Sequence, residues 1–93
     1  MKAFKLKISS PEGDLFSGEA VMLRVRGTEG ELAVMAGHIP FVTYVKPSDC
    51  KIELDDGTER TGHTEGGVLT VAKDKVILLS GAFTWRTEEE ENG

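Results

Sequence analysis

Apolar side chains recur at every second position through much of this chain. In residues 4–9 the apolar set is Phe4, Leu6 and Ile8, with Lys5 and Lys7 between them. In residues 21–27 it is Val21, Leu23 and Val25, set against Met22, Arg24 and Arg26. A period of two sends alternate side chains to opposite faces, so both segments predict strands that bury one side. Cys50, Ile52 and Leu54 repeat the scheme, and the Asp55, Asp56, Gly57 sequence after them predicts a hairpin turn, because glycine accepts the positive φ that such turns demand. Residues 58–64 are the expected returning strand. Residues 68–71 and 76–79 predict a second hairpin through a polar turn at Lys73 and Asp74. No window long enough for a helix carries an apolar stripe of helical period. Glycine and proline punctuate the chain about every 8 to 12 residues, the spacing of a sandwich or barrel. The expected class is all-β, with two layers sharing one core.

Size and charge narrow the partners. A chain of 93 residues makes one small domain that buries somewhat over ~60% of its unfolded surface. Residues 1–86 are expected to form it. Residues 87–93, "TEEEENG", place four carboxylates side by side with nothing to bury, which predicts a frayed, disordered tail. Sixteen acidic residues against eleven basic ones give a net charge of −5, the wrong sign for a phosphate backbone or an anionic lipid surface. Cys50 is the only cysteine. It admits no intrachain disulfide, suits a reducing compartment and is expected to be a buried small hydrophobe. The opening "MKAFKLKISS" alternates where a secretion signal needs an unbroken apolar run, and no stretch approaches the ~20 apolar residues of a membrane span. These features read as a cytosolic chain or a peripheral subunit.

Candidate chemistry concentrates in residues 27–40, "GTEGELAVMAGHIP". Glu29, Glu31 and His38 could in principle supply an acid, a base and an orienting group. Catalytic carboxylates, however, need surroundings that push their pKa values apart, and these two sit in a glycine-bounded stretch expected to be a loop. His38 and His63 lack the HxH, HxxxH or CxxC spacing that sets two metal ligands on one face. No strand-to-helix turn lifts Ser17 or Ser80 into a nucleophile's position, and no glycine-rich loop precedes a helix to cradle a phosphate. Glu65, Gly66 and Gly67 predict a bulge or a close approach of two backbones. The expectation is a chain with no catalytic residues, metal or cofactor. The remaining alternatives are a sandwich that binds a metal or small molecule, and a generic adaptor that docks through an exposed apolar patch.

Three blocks carry a further signal: "SPEGDLFSGEA" at residues 10–20, residues 27–59 with the opening G-T-E-G-E-x-x-V-x-x-G-H-x-P, and "GGVLTVAKDKVILLS" at residues 66–80. Together they resemble the N-terminal domain of the F-type ATP synthase epsilon subunit, in register from about Phe4 to Ser80. The resemblance implies a flattened two-sheet β-sandwich of about ten strands. It implies a non-catalytic rotor subunit of the central stalk, peripheral on the cytoplasmic side of a bacterial-type cell membrane. Such a subunit links gamma to the c ring and couples ion flow to ATP synthesis. Carried over position by position, it places Glu29, Gly30, Glu31, Gly37, His38 and Pro40 against the c ring, and Ser10, Thr43 and Glu65 against gamma. Where the family usually has a small residue before the paired glycines, this chain has Glu65.

An exposed ion pair contributes only ~0 to 1 kcal/mol, so a lasting contact needs apolar anchors. Near the rim the candidates are Leu32, Met35, Ile39, Phe41 and Val42, each of which could instead pack in the core, Leu32 and Val42 above all. Family members commonly continue into a two-helix domain that restrains ATP hydrolysis. "GAFTWRTEEEENG" departs from that exit, which implies coupling without a helical self-inhibitory arm. Phe83 and Trp85 are expected to cap one end of the sandwich.

Overall fold

The computed structural model describes residues 2–86, and those residues form ten strands with no helix among them. They are β1 (Phe4–Ser10), β2 (Gly13–Ala20), β3 (Met22–Gly27), β4 (Gly30–Val34) and β5 (Phe41–Val45), followed by β6 (Ser48–Glu53), β7 (Glu59–Thr64), β8 (Gly67–Val71), β9 (Lys75–Ser80) and β10 (Phe83–Trp85). Both predicted hairpins form, as β6–β7 and β8–β9. In the first, Gly57 adopts φ +88°. Its neighbour Asp56 accepts hydrogen bonds from the Thr58 amide at 2.9 Å and hydroxyl at 2.6 Å, which hold the carboxyl below its usual range.

Hydrogen bonding runs continuously from β10 through β7, β6, β3, β5, β8, β9 and β1 to β2, with β4 on the free side of β3. Within that path β3 and β5 share one residue pair, Gly27 with Val45. On either side of this corner lie five strands: β10-β7-β6-β3-β4 and β5-β8-β9-β1-β2. The ladder is antiparallel throughout except where β1 lies parallel to β9. The result is a nearly closed, barrel-like sandwich, in keeping with the two layers read from the sequence.

Alternation fixes what each face buries. In the second sheet Val71, Val76 and Leu6 stand in one cross-strand row, and Leu69, Leu78 and Ile8 in another; all six are buried. Leu23, Val25, Val34, Cys50 and Ile52 from the first sheet meet them across the core. Burial pushes the Cys50 thiol up to about 12, assisted by the charge of Asp49, so it acts as a packing group. Two further contacts tie the layers. The hydroxyls of Thr64 on β7 and Ser80 on β9 form a buried hydrogen bond of 2.6 Å. Trp85 on β10 donates from its indole N–H to the Leu15 carbonyl of β2 at 3.2 Å and meets Phe16 edge-on. Phe83 is buried, so the aromatic pair closes the seam between the last strand and the second.

Candidate partner-binding surfaces

The residues singled out from sequence fall into three places. Glu29, Gly30, Glu31 and Thr43 line one groove with Leu32, Phe41 and Val42, between the tip of the β3–β4 hairpin and β5. Glu31 lies on strand β4, not on the loop that the glycines suggested. The β3–β4 ladder captures it, Glu31 pairing in register with Arg26 while its carboxylate lies 3.5 Å from the Arg24 guanidinium. Gly37, His38 and Pro40 lie beyond the other end of β4, around a second groove of about 630 Å³ shared with Lys2, Phe4, Ile39, Lys73 and Asp74. A five-residue strand spans ~16 Å, so the six residues read as one contact form two patches along one flank. Gly30 and Gly37 have φ of +122° and +87°.

Ser10 and Glu65 lie at the third place, the end of the second sheet where β1 and β9 finish and β8 begins. Ser10 uses its hydroxyl locally, accepting from the Glu12 amide at 3.2 Å. Glu65 does not stand alone: its carboxylate is 3.1 Å from His63 Nε2, and His63 Nδ1 is 3.1 Å from Asp49. Arg86 approaches the same Asp49 oxygen at 2.6 Å. The hydrogen bond from His63, and then Arg86, hold the Asp49 carboxyl below the ordinary carboxylate range. Gly66 and Gly67 sit where two backbones close on each other, as the sequence suggested. A Cβ built on Gly67 would meet the Leu79 carbonyl oxygen at 1.9 Å. Thr43 does not join this group. It shares the inner side of β5 with Val45 and is half-buried.

Of the outer face of the second sheet, sequence reasoning singled out only Val42 and missed the rest. Tyr44, Val68, Leu79 and Ser9 form one cross-strand row, and Val42, Thr70, Ile77 and Lys7 the next. Tyr44 is 70% exposed, Val42 67% and Leu79 54%. The outer face of the first sheet is charged, with Arg24, Arg26, Lys51 and Asp49 around one shallow groove. The signal was present in the runs "FVTYV" and "VILLS", which are apolar on both strand faces and so exceed what a half-buried strand needs. Of the anchors expected near the rim, Met35, Ile39, Phe41 and Val42 are exposed, whereas Leu32 packs partly against the core. Among the described residues no group of three His, Cys, Asp or Glu side chains could hold a metal.

The fold and these surfaces define an all-β sandwich domain with one apolar and one charged outer face. Residues 3–86 match the family described as "ATP synthase, Delta/Epsilon chain, beta-sandwich domain", and the chain belongs to that family. It is 36% identical over 87 residues to the ATP synthase epsilon chain of Clostridium novyi (strain NT), an alignment covering 94% of this chain and 66% of that one.

Two cryo-EM structures share the fold. One is a chain of the Euglena gracilis mitochondrial ATP synthase, OSCP/F1/c-ring in rotational state 1, with a TM-score of 0.85 at 19% identity, covering 96% of this chain and 58% of that one. The other belongs to the Tetrahymena thermophila mitochondrial ATP synthase, central stalk and c ring, with a TM-score of 0.70 at 11% identity, covering 85% of this chain and 63% of that one. The chain spans a little under two thirds of the length of these relatives.

Proposed function

We propose that this chain acts as the epsilon-type subunit of an F-type ATP synthase rotor, a non-catalytic block of the central stalk. Gamma covers the outer face of the second sheet. The two patches beside β4 meet the loops of the c ring on the cytoplasmic side of a membrane. The observation that carries this reading is the apolar cross-strand row of Tyr44, Val68 and Leu79. Water-exposed apolar area of that kind is the usual core of a lasting contact, ringed by polar groups. Ser10 and Glu65 then form the rim of the gamma contact, with the Glu65 carboxylate already in contact with His63 Nε2 of its own chain at 3.1 Å. Thr43, though proposed for gamma on resemblance, lies with Glu29 and Glu31 and belongs with the ring-facing groove in this reading. Coupling needs stiffness more than chemistry: a close-packed interior transmits strain with little compression.

The test is reconstitution of the full chain with purified gamma, followed by Tyr44→Asp and Leu79→Asp. Placing a carboxylate in a contact that excludes water should weaken binding at least about a hundredfold, while the melting temperature changes little because both side chains are exposed. Unchanged affinity for gamma in both variants would refute the assignment.

A further inference from the structure

His38 stands in a patch assigned to a partner, but its ring nitrogens are used inside the chain. Nδ1 meets the carbonyl oxygen of Met35, within the same loop, and Nε2 lies 2.7 Å from the carbonyl oxygen of Ala72, which leads into the β8–β9 turn. The ring also stands edge-on to Phe4 of β1, with centroids 5.9 Å apart and planes at 83°. Carbonyl oxygens only accept hydrogen bonds. A neutral imidazole has one N–H and can satisfy one of these two oxygens; an imidazolium has two and satisfies both.

We infer that His38 is a positioning residue whose doubly protonated ring clamps the loop of residues 35–40 onto the β8–β9 turn, so that proton uptake sets how firmly the loop is held. The charged groups that line the same groove come from two other segments: Lys2 from the stretch before β1, and Lys73 and Asp74 from the turn. From β1 the ring meets the uncharged Phe4. Ala36 packs partly against the core, but its neighbours are held less. Gly37 contributes no side chain, a Cβ built there would meet nothing within 4 Å, and Ile39 is 82% exposed. The clamp's consequence for coupling rests on the proposed ring-facing role of this loop, but the clamp itself is a property of the isolated chain.

The test uses the full chain in solution from about pH 5 to 8. Imidazole proton–nitrogen correlation spectra count the protons on His38, and amide exchange, corrected for intrinsic rates, reads the loop. At the acid end both His38 nitrogens should carry protons. Amides of residues 36–39 and 73 should there be about three- to tenfold better protected than at the alkaline end, the worth of one net hydrogen bond. His38→Phe keeps a ring against Phe4 and removes both N–H groups. It should abolish that pH dependence while amides of β6 and β7 exchange as before. A ring carrying one proton throughout, or equal loop protection in His38→Phe, would overturn the inference. If the clamp is seen but His38→Phe still attaches normally to the c ring at every pH, the clamp stands and the ring-facing reading of the loop falls.

Discussion

Gly67 faces the backbone of the neighbouring strand. The atom nearest to its missing side chain is the Leu79 carbonyl oxygen at 1.9 Å, with the Ser80 Cα at 2.9 Å. Neither is the free end of a flexible side chain that could swing away. Gly67→Ala therefore has to part β8 from β9, and we expect a loss of about 2–3 kcal/mol in denaturant unfolding. A stability within about 0.5 kcal/mol of the parent would show that the two strands can shift apart freely. This close approach was legible in the sequence, because two glycines after a strand have few other uses. The direction of His38 was not legible, since its second acceptor lies on a turn 34 residues along the chain and no local pattern encodes that contact. The Glu65–His63 contact was also hidden, although the two residues are neighbours on one strand end. What sets it is the pairing of His63 with Asp49 across β6 and β7.

Hairpins were the best-read elements because both of their signals are local: alternation gives the strands, and turn residues give the reversal. The corner at Gly27 and Val45 was not readable, for it joins strands separated by β4 and a loop. The short β10 was read only as an aromatic cap. Its role in the structure depends on Trp85, whose indole contacts the Leu15 carbonyl, Phe16 and Phe83, and whose ring carries the Arg60 guanidinium 3.8 Å from its centroid. Trp85→Phe keeps an aromatic ring but loses the N–H donor and part of the contact area. It should cost about 1–2 kcal/mol, and amide exchange should accelerate in β10 and along Gly13–Ala20 ahead of the β8–β9 pair. Uniform acceleration across all strands would mean that the seam is no weaker than the rest.

As a whole the molecule presents two unlike outer faces and a flank that carries Glu29 and Glu31, and the proposed contacts should answer differently to salt. Association through Tyr44 and Leu79 on the proposed gamma face removes apolar area from water, which added salt does not screen. On the proposed assignment the contribution of Glu29 and Glu31 to c-ring attachment is electrostatic and exposed, so it should fade as ionic strength rises from about 0.01 to 1 M while gamma binding holds. Equal salt sensitivity of the two contacts would contradict that division. Alternation predicted which side of β1, β3 and β6 is buried, but two-faced apolar runs could be told from ordinary core strands only once the sheet showed which face was left uncovered. The chain has a single tryptophan, and it stands where the last strand closes against the second. Its emission wavelength and quenching by small solutes therefore report on that one junction, giving the unlabelled protein an optical gauge of whether the sandwich is shut.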